Sequence, residues 1–295
     1  MANYLSWNYQ EPNNKYQLTL LHSFLLEIQS SHSSDVRDGA LFALISFLLI
    51  FILAASGRVQ MGFVVPGFPT PLRRSRKKIL SEYFPFYKNL PSDQQKVFGQ
   101  RVQAIILSKT FYGRGVKVDE VMRVLISACA VQLTFGLPKI MLSHFTRIII
   151  YPNDYYSTIN KQYHKGEINP RLKAIVLSWH HFLDGYVKKN DGINLGLHEM
   201  AHALHLENII SNDEYNFLDQ GALAQWRKAA SEEMMRINSD PSHLFRSYAS
   251  VNEHEFFAIA VENFFERSEQ FNAQLPHLYH LMTLILRQNP LSNSL

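Results

Sequence analysis

The segment His198-Glu199-Met200-Ala201-His202 sets two imidazoles four positions apart, with a carboxylate beside the first. On a helix, residues four apart share one face and lie about 6 Å apart along the axis. Two rings so placed can converge on one metal ion. Glu199 can then reach a water carried by that ion. Zinc lowers the pKa of such a water from roughly 15.7 to about 7, and a neighbouring carboxylate can take the proton. The expected chemistry is peptide hydrolysis by metal-activated water, with one zinc ion per chain and Glu199 as general base.

A catalytic zinc needs a third protein ligand and leaves its fourth position open. His205 follows on the same helix. Seven residues of helix rise about 10 Å, too far for His198 and His205 to share one ion through bonds of about 2 Å. His205 is therefore expected behind the ligands or in the core. Glu214 and Asp219 follow in the segment NDEYNFLD, and Glu232 and Glu233 sit in a polar run that reads as solvated. Glu255 opens an apolar helix beside Phe256 and Phe257, where an unpaired carboxylate is costly and a metal would satisfy it. Glu262 lies about two turns further along that helix and, like His205, is a candidate for orienting a ligand. Spacing alone leaves the third ligand open.

These residues need a scaffold. A turn at Gly192 introduces a helix to Asn208, with Ile193, Leu195, Leu197, Ala201 and Leu204 as its apolar positions. Ser92 with Gln95 reads as a capping box opening a helix toward Thr110. Further helices are expected over 119–133, 213–238, 253–267 and 276–287. Thr146 to Tyr151 and Leu172 to Trp179 read as strands from their β-branched content and alternation. The pattern is α+β, mainly helical, with a small sheet.

The chain has 295 residues, of which 46% are hydrophobic and 13% aromatic, enough for a sizeable core and unlike a disordered chain. Its one cysteine, Cys129, excludes an internal disulfide and a cysteine-rich zinc finger. The formal net charge of +4 is unevenly spread. Residues 1–38 carry a net −2, residues 39–57 carry no charge, and residues 58–78 carry a net +6 from Arg58, Arg73, Arg74, Arg76, Lys77 and Lys78. The remainder is balanced, so no nucleic-acid footprint is expected.

The stretch GALFALISFLLIFILAASG over 39–57 has only Ser46 and Ser56 as polar side chains. As a helix it spans roughly 28 Å, close to the hydrocarbon thickness of a bilayer. It reads as a single transmembrane helix. The basic residues after it place that side in the cytoplasm, with 1–38 outside. Residues 58–78 read as a basic Pro/Gly linker and 79–295 as the catalytic domain.

The segments GINLGLHEMAHALHLEN and SYASVNEHEFFAIAVENFFERSEQF resemble the Mlc titration factor A family of zinc peptidases. Their active-site pattern is similar to that of the metalloprotease domain of anthrax lethal factor. In it the histidine motif is followed by a tyrosine and, seven residues later, by a glutamate opening an apolar helix. Tyr248 and Glu255 occupy those positions. The resemblance implies a zincin-type metallopeptidase domain, Glu255 as third zinc ligand, and Tyr248 facing the substrate. Ile150-Tyr151-Pro152 and Ile175 to Trp179 match the family's strand segments, so the likeness runs from about Leu80 to Pro290. One departure is His205, where the family usually has an aspartate that could orient a ligand more strongly.

Tyr248 also has a role in its own right, since a phenol can donate to the oxyanion formed on a peptide carbonyl. The strand ending at Ser178-Trp179 is either the sheet edge that pairs with an extended substrate or a core strand. His180 and His181 at its end read as structural. The resemblance also implies an alternative, because the family is named for titrating a repressor. The domain would then be a zinc-stabilised module that sequesters a regulatory protein at the membrane. An intact Glu199 favours the peptidase. Endopeptidase and aminopeptidase action are not separated, since no carboxylate for a free amine can be placed.

Overall fold

The structure is a computed structural model that describes residues 70–292 apart from 138, 158–160 and 189, together with Ile45. Apart from Ile45, the transmembrane expectation over 39–57 therefore lies outside the described residues. Among the described residues no helix is long and apolar enough to cross a membrane. Gly62–Leu295 forms a compact unit of its own.

Helix α1 (Arg74–Tyr83) begins inside the linker expected over 58–78 and runs on into the domain expected from 79. Its cause is a stripe at helical spacing, with Arg76, Leu80 and then Phe84 all buried. Arg76 is buried because its Nε pairs with Glu120 at 2.5 Å and its Nη1 donates to Gln103 at 2.8 Å. A basic run here hides one internal ion pair, so the folded domain begins earlier than charge alone suggests.

Short α2 (Pro85–Asn89) leads to α3 (Ser92–Ser108) and α4 (Glu120–Thr134). Asp119 caps α4 by accepting from the Met122 amide at 2.8 Å. The capping box expected at Ser92 does not form. Pro91 is the N-cap, and Gln95 turns back to the Leu90 carbonyl at 3.1 Å.

The sheet has four strands in the order β1-β2-β6-β5. β1 (Thr110–Gly113), β2 (Arg147–Tyr151) and β6 (Ala174–Ser178) run parallel, and β5 (Gly166–Asn169) pairs antiparallel with β6. β6 is thus paired on both sides and buried throughout. This settles the strand before Trp179 as a core strand, and the edges of the sheet are β1 and β5. A separate hairpin, β3 (Tyr155–Ser157) with β4 (Gln162–His164), precedes it. Trp179 already starts α5 (Trp179–Val187), capped by Ser178.

Next come α6 (Leu195–Ile209), α7 (Gln220–Ile237), a 3₁₀ turn (Ser247–Ser250) and α8 (Glu253–Glu266), followed by α9 (Ser268–Gln274) and α10 (Pro276–Leu286). The helix expected from 213 begins only at Gln220, where Asp219 caps it through the Ala222 amide at 2.7 Å. Helix α6 is buried along Leu197, Met200, Ala201 and Leu204. It is enclosed by α4, α8, β5 and β6.

The connection from α4 to β2 is gripped through its backbone. Arg101 donates to the carbonyls of Phe135, Thr134 and Leu137 at 2.8, 2.8 and 3.1 Å. Lys109 Nζ donates to Leu142 O at 2.6 Å. Glu214 accepts from the Met141 amide at 2.9 Å, and Glu207 from the His144 amide at 3.0 Å. Buried charges here serve main-chain groups that have no ladder partner.

Candidate metal centre

Helices α6 and α8 supply the chemistry. Asn194 caps α6 by accepting from the Leu197 amide at 3.0 Å, and Gly192 turns the chain before it with φ of 73°. Asn252 caps α8 by accepting from the His254 and Glu255 amides at 2.9 and 3.0 Å. The caps fix where each helix begins and hence which way its first turns face.

His198, His202 and Glu255 are brought together, each offering an atom within 4.8 Å of the others. The Nε2 atoms of His198 and His202 lie 3.1 Å apart, and Glu255 oxygens lie 3.1 Å from His198 Nε2 and 3.6 Å from His202 Nε2. Donors around a tetrahedral ion with bonds of about 2.0–2.1 Å stand about 3.3 Å apart. Glu255 Oε2, although buried, has no partner with hydrogen-bond geometry. Three lone-pair donors of a metal-binding set facing one point, one of them orphaned, fit a cation better than they fit one another.

His198 is held from behind. Its Nδ1–H donates to Glu262 Oε1 at 2.7 Å, which turns Nε2 toward the shared point. Glu262 is almost wholly enclosed and itself accepts from Arg246 Nη2 at 2.7 Å, Arg246 Nη1 at 3.2 Å and the Asn194 amide at 2.7 Å. Nothing in the local sequence marks Arg246. The only signal for Glu262 is its place two turns after Glu255.

Glu199 is buried at the edge of the sheet. A Cβ at Gly166 of β5 would stand 2.4 Å from Glu199 Oε1, so glycine is what leaves the carboxylate its place. Burial pushes Glu199 up to about 7; Glu255, Glu262 and Glu167 push the same way against the pull of His198. A divalent ion at the three donors would draw it down again. Burial opposes the His198 cation, but Glu255 and Glu262 outweigh it and raise the ring to about 10. Burial also opposes the Glu255 carboxylate, and the two histidines overcome it, leaving the group well below the usual range.

Tyr248 stands in the 3₁₀ turn, half exposed, and its hydroxyl is raised by burial and by nearby Glu255 and Glu199. Nothing in the local sequence marks Tyr155 of β3. It stacks on Tyr151 at 4.3 Å, reaches Glu167 at 3.4 Å, and is pushed up by burial, Glu167 and Glu199.

The other sequence candidates lie elsewhere. The His205 ring packs against His254 at 4.7 Å and is lowered to about 4, chiefly by burial. Glu214 grips the α4–β2 connection and Asp219 caps α7. Glu232 is exposed. Glu233 is buried rather than solvated, because His243 at 2.9 Å and Arg236 at 3.0 Å pair with it. His181 pairs with Asp154, and His180 lies 3.9 Å from Asp184.

Helices carrying an H-E-x-x-H pair opposite a glutamate, beside a small sheet, define a metallopeptidase domain of the α+β class. The chain belongs to the glucose-regulated metallo-peptidase M90 family, whose model matches residues 68–287. It is similar to an uncharacterized protein of Synechocystis sp., 25% identical over 243 residues, covering 77% of this chain and 88% of the relative. It is also similar to Mlc titration factor A of Edwardsiella ictaluri, 25% identical over 70% of this chain and 85% of that protein. Mlc titration factor A of Escherichia coli is 25% identical over 56% of this chain and 69% of its own length.

Proposed function

We propose that this chain is a zinc-dependent peptidase in which His198, His202 and Glu255 hold the ion. The observation that carries the reading is the convergence of those three donors, with His198 Nδ1 already committed to Glu262. Two imidazoles and one carboxylate are a donor set of catalytic zinc, which keeps a fourth position open. When bound, the ion supplies a water of lowered pKa and polarises the scissile carbonyl. Glu199 accepts the proton of the attacking water at its carboxylate and passes it to the departing amine. Tyr248 donates its hydroxyl proton in a hydrogen bond to the carbonyl oxygen as charge grows there. Glu262 keeps His198 in the tautomer whose Nε2 carries a lone pair.

The substrate is a peptide or a protein near a membrane. The uncharged stretch over 39–57 enters the bilayer, residues 1–38 lie outside, and the basic residues that follow keep the peptidase domain in the cytoplasm. The spacer then covers 58–73 and the domain starts with α1. A second reading draws on the relatives named Mlc titration factor A. The same zinc-stabilised domain would bind a regulatory protein at the membrane and cleave little.

The deciding experiment compares wild type, Glu199→Gln and Glu255→Ala for metal content and peptide turnover. A peptidase loses turnover but keeps about one zinc in Glu199→Gln, and loses zinc in Glu255→Ala. Full zinc in Glu255→Ala would remove Glu255 from the site. Undiminished partner binding with no turnover in wild type would favour the binding module. Resistance of the full chain to alkaline extraction from membranes tests the anchor.

A further inference from the structure

Helix α1 carries its cations at the wrong end. The positive pole of a helix dipole lies at its N-terminus, where acids stabilise and bases do not. The first turn of α1 holds no acid, and Arg73 at the N-cap makes no side-chain cap bond. Arg73, Arg74, Lys77 and Lys78 are all exposed. Arg74 and Lys78 share the face opposite the buried stripe of Arg76 and Leu80, and Lys77, one turn from Arg74, flanks it. Arg76 takes Glu120, and none of the other four has an ion pair or side-chain hydrogen bond among the described residues. A stability role does not account for four unpaired cations at this pole.

Their position along the chain says what they face. Only residues 58–73 separate this helix from the uncharged stretch over 39–57. Fully extended, that spacer reaches at most about 55 Å. A tether this short keeps weak charge contacts at high effective concentration. We infer that the exposed basic face of α1 is a docking surface for acidic phospholipid headgroups, whose phosphates Arg73, Arg74, Lys77 and Lys78 bind. This builds on the membrane reading of 39–57 and adds an orientation to it. The peptidase domain rests on the bilayer by one chosen face rather than swinging on its spacer.

The test uses Gly62–Leu295, a compact unit without the apolar stretch. Its co-sedimentation is measured with vesicles of phosphatidylglycerol and phosphatidylcholine, and of phosphatidylcholine alone. Binding to the acidic vesicles only is expected, fading as salt rises from about 0.05 to 0.5 M. The combined variant R73Q/R74Q/K77Q/K78Q should bind at least about a hundredfold more weakly, at roughly fivefold for each cation lost. Its circular dichroism and melting should match wild type, because all four side chains are exposed. No binding to acidic vesicles, or binding indifferent to the four substitutions, would overturn the inference. Tighter retention by single-stranded RNA than by acidic vesicles would also overturn it. Loss of alkali-resistant membrane retention in the full chain would sink the anchor but not the docking face, so the two failures are told apart.

Discussion

Helix α6 has a cluster of charged and ionisable groups near each end, one buried and one partly buried, and the two are built on opposite principles. Near its C-terminal end, Glu207 works with Glu214, Lys109 and Arg101 to hold the α4–β2 connection. There almost every charge meets a main-chain group of opposite polarity, and only Arg101 Nε lacks a partner. One turn after the N-terminus, ring nitrogens of His198 and His202 and the Glu255 carboxylate from α8 converge on one point. The first cluster is nearly complete as it stands, while the second, on the proposed function, is completed by a cation. Buried charge alone therefore does not mark a functional site. The sign of what faces it does.

The contrast can be broken most sharply at Glu199. Glu199→Gln should lower peptide turnover by about 10²–10⁴-fold while leaving metal content and melting temperature unchanged. A large loss of stability instead would place Glu199 among the structural charges. Arg101→Met should do the reverse. The Phe135 carbonyl loses its donor and those of Thr134 and Leu137 lose one of two, and urea unfolding should show a loss of roughly 2–4 kcal/mol with metal stoichiometry intact. Loss of metal in that variant would mean that the two clusters are coupled along α6.

Glu262→Gln sits between these extremes. Metal affinity, measured by competition with a chelator, should fall about 10–100-fold without unfolding the domain. An unchanged affinity would show that Arg246 and the Asn194 amide hold His198 indirectly.

The smallest expected effect is a pH slope. Burial lowers Lys109 to about 8, with Glu207 and Glu214 pulling it back up. The unfolded chain holds that proton until about 10.4, so it binds more protons than the folded one between these values. Stability from this group accordingly rises as pH goes from about 8 to about 10. Lys109→Met should flatten that part of the curve relative to wild type in denaturant titrations at successive pH values. An identical slope in both proteins would show that Lys109 stays charged when buried.

The parts of the fold legible in the sequence are those with local causes. α4, α6 and α8 follow from apolar periodicity and from residues such as Asp119 that cap their starts. β2 and β6 follow from their β-branched runs. β5 was invisible because Gly166-Glu167-Ile168-Asn169 has a single apolar side chain and is defined by its pairing with β6. α1 was hidden in a basic run whose buried member, Arg76, finds Glu120 44 positions away. The site divides in the same way. His198, Glu199 and His202 stand out by their spacing, and Glu255 with Tyr248 by a family pattern. Glu233 read as solvated because its partner His243 lies on another segment. Arg246 and Gly166 matter only through contacts that folding creates.

The pairing of His198 with Glu262 also bears on how the protein is made. The two residues are 64 positions apart. A ribosome adding roughly 5–20 residues per second delivers the second some 3–13 seconds after the first. For most of that interval both motif histidines are already in the nascent chain while Glu255 and Glu262 are still unmade. On the proposed function, the nascent chain then offers two imidazoles without the carboxylate, so the three-donor site is complete only once Glu255 has been made.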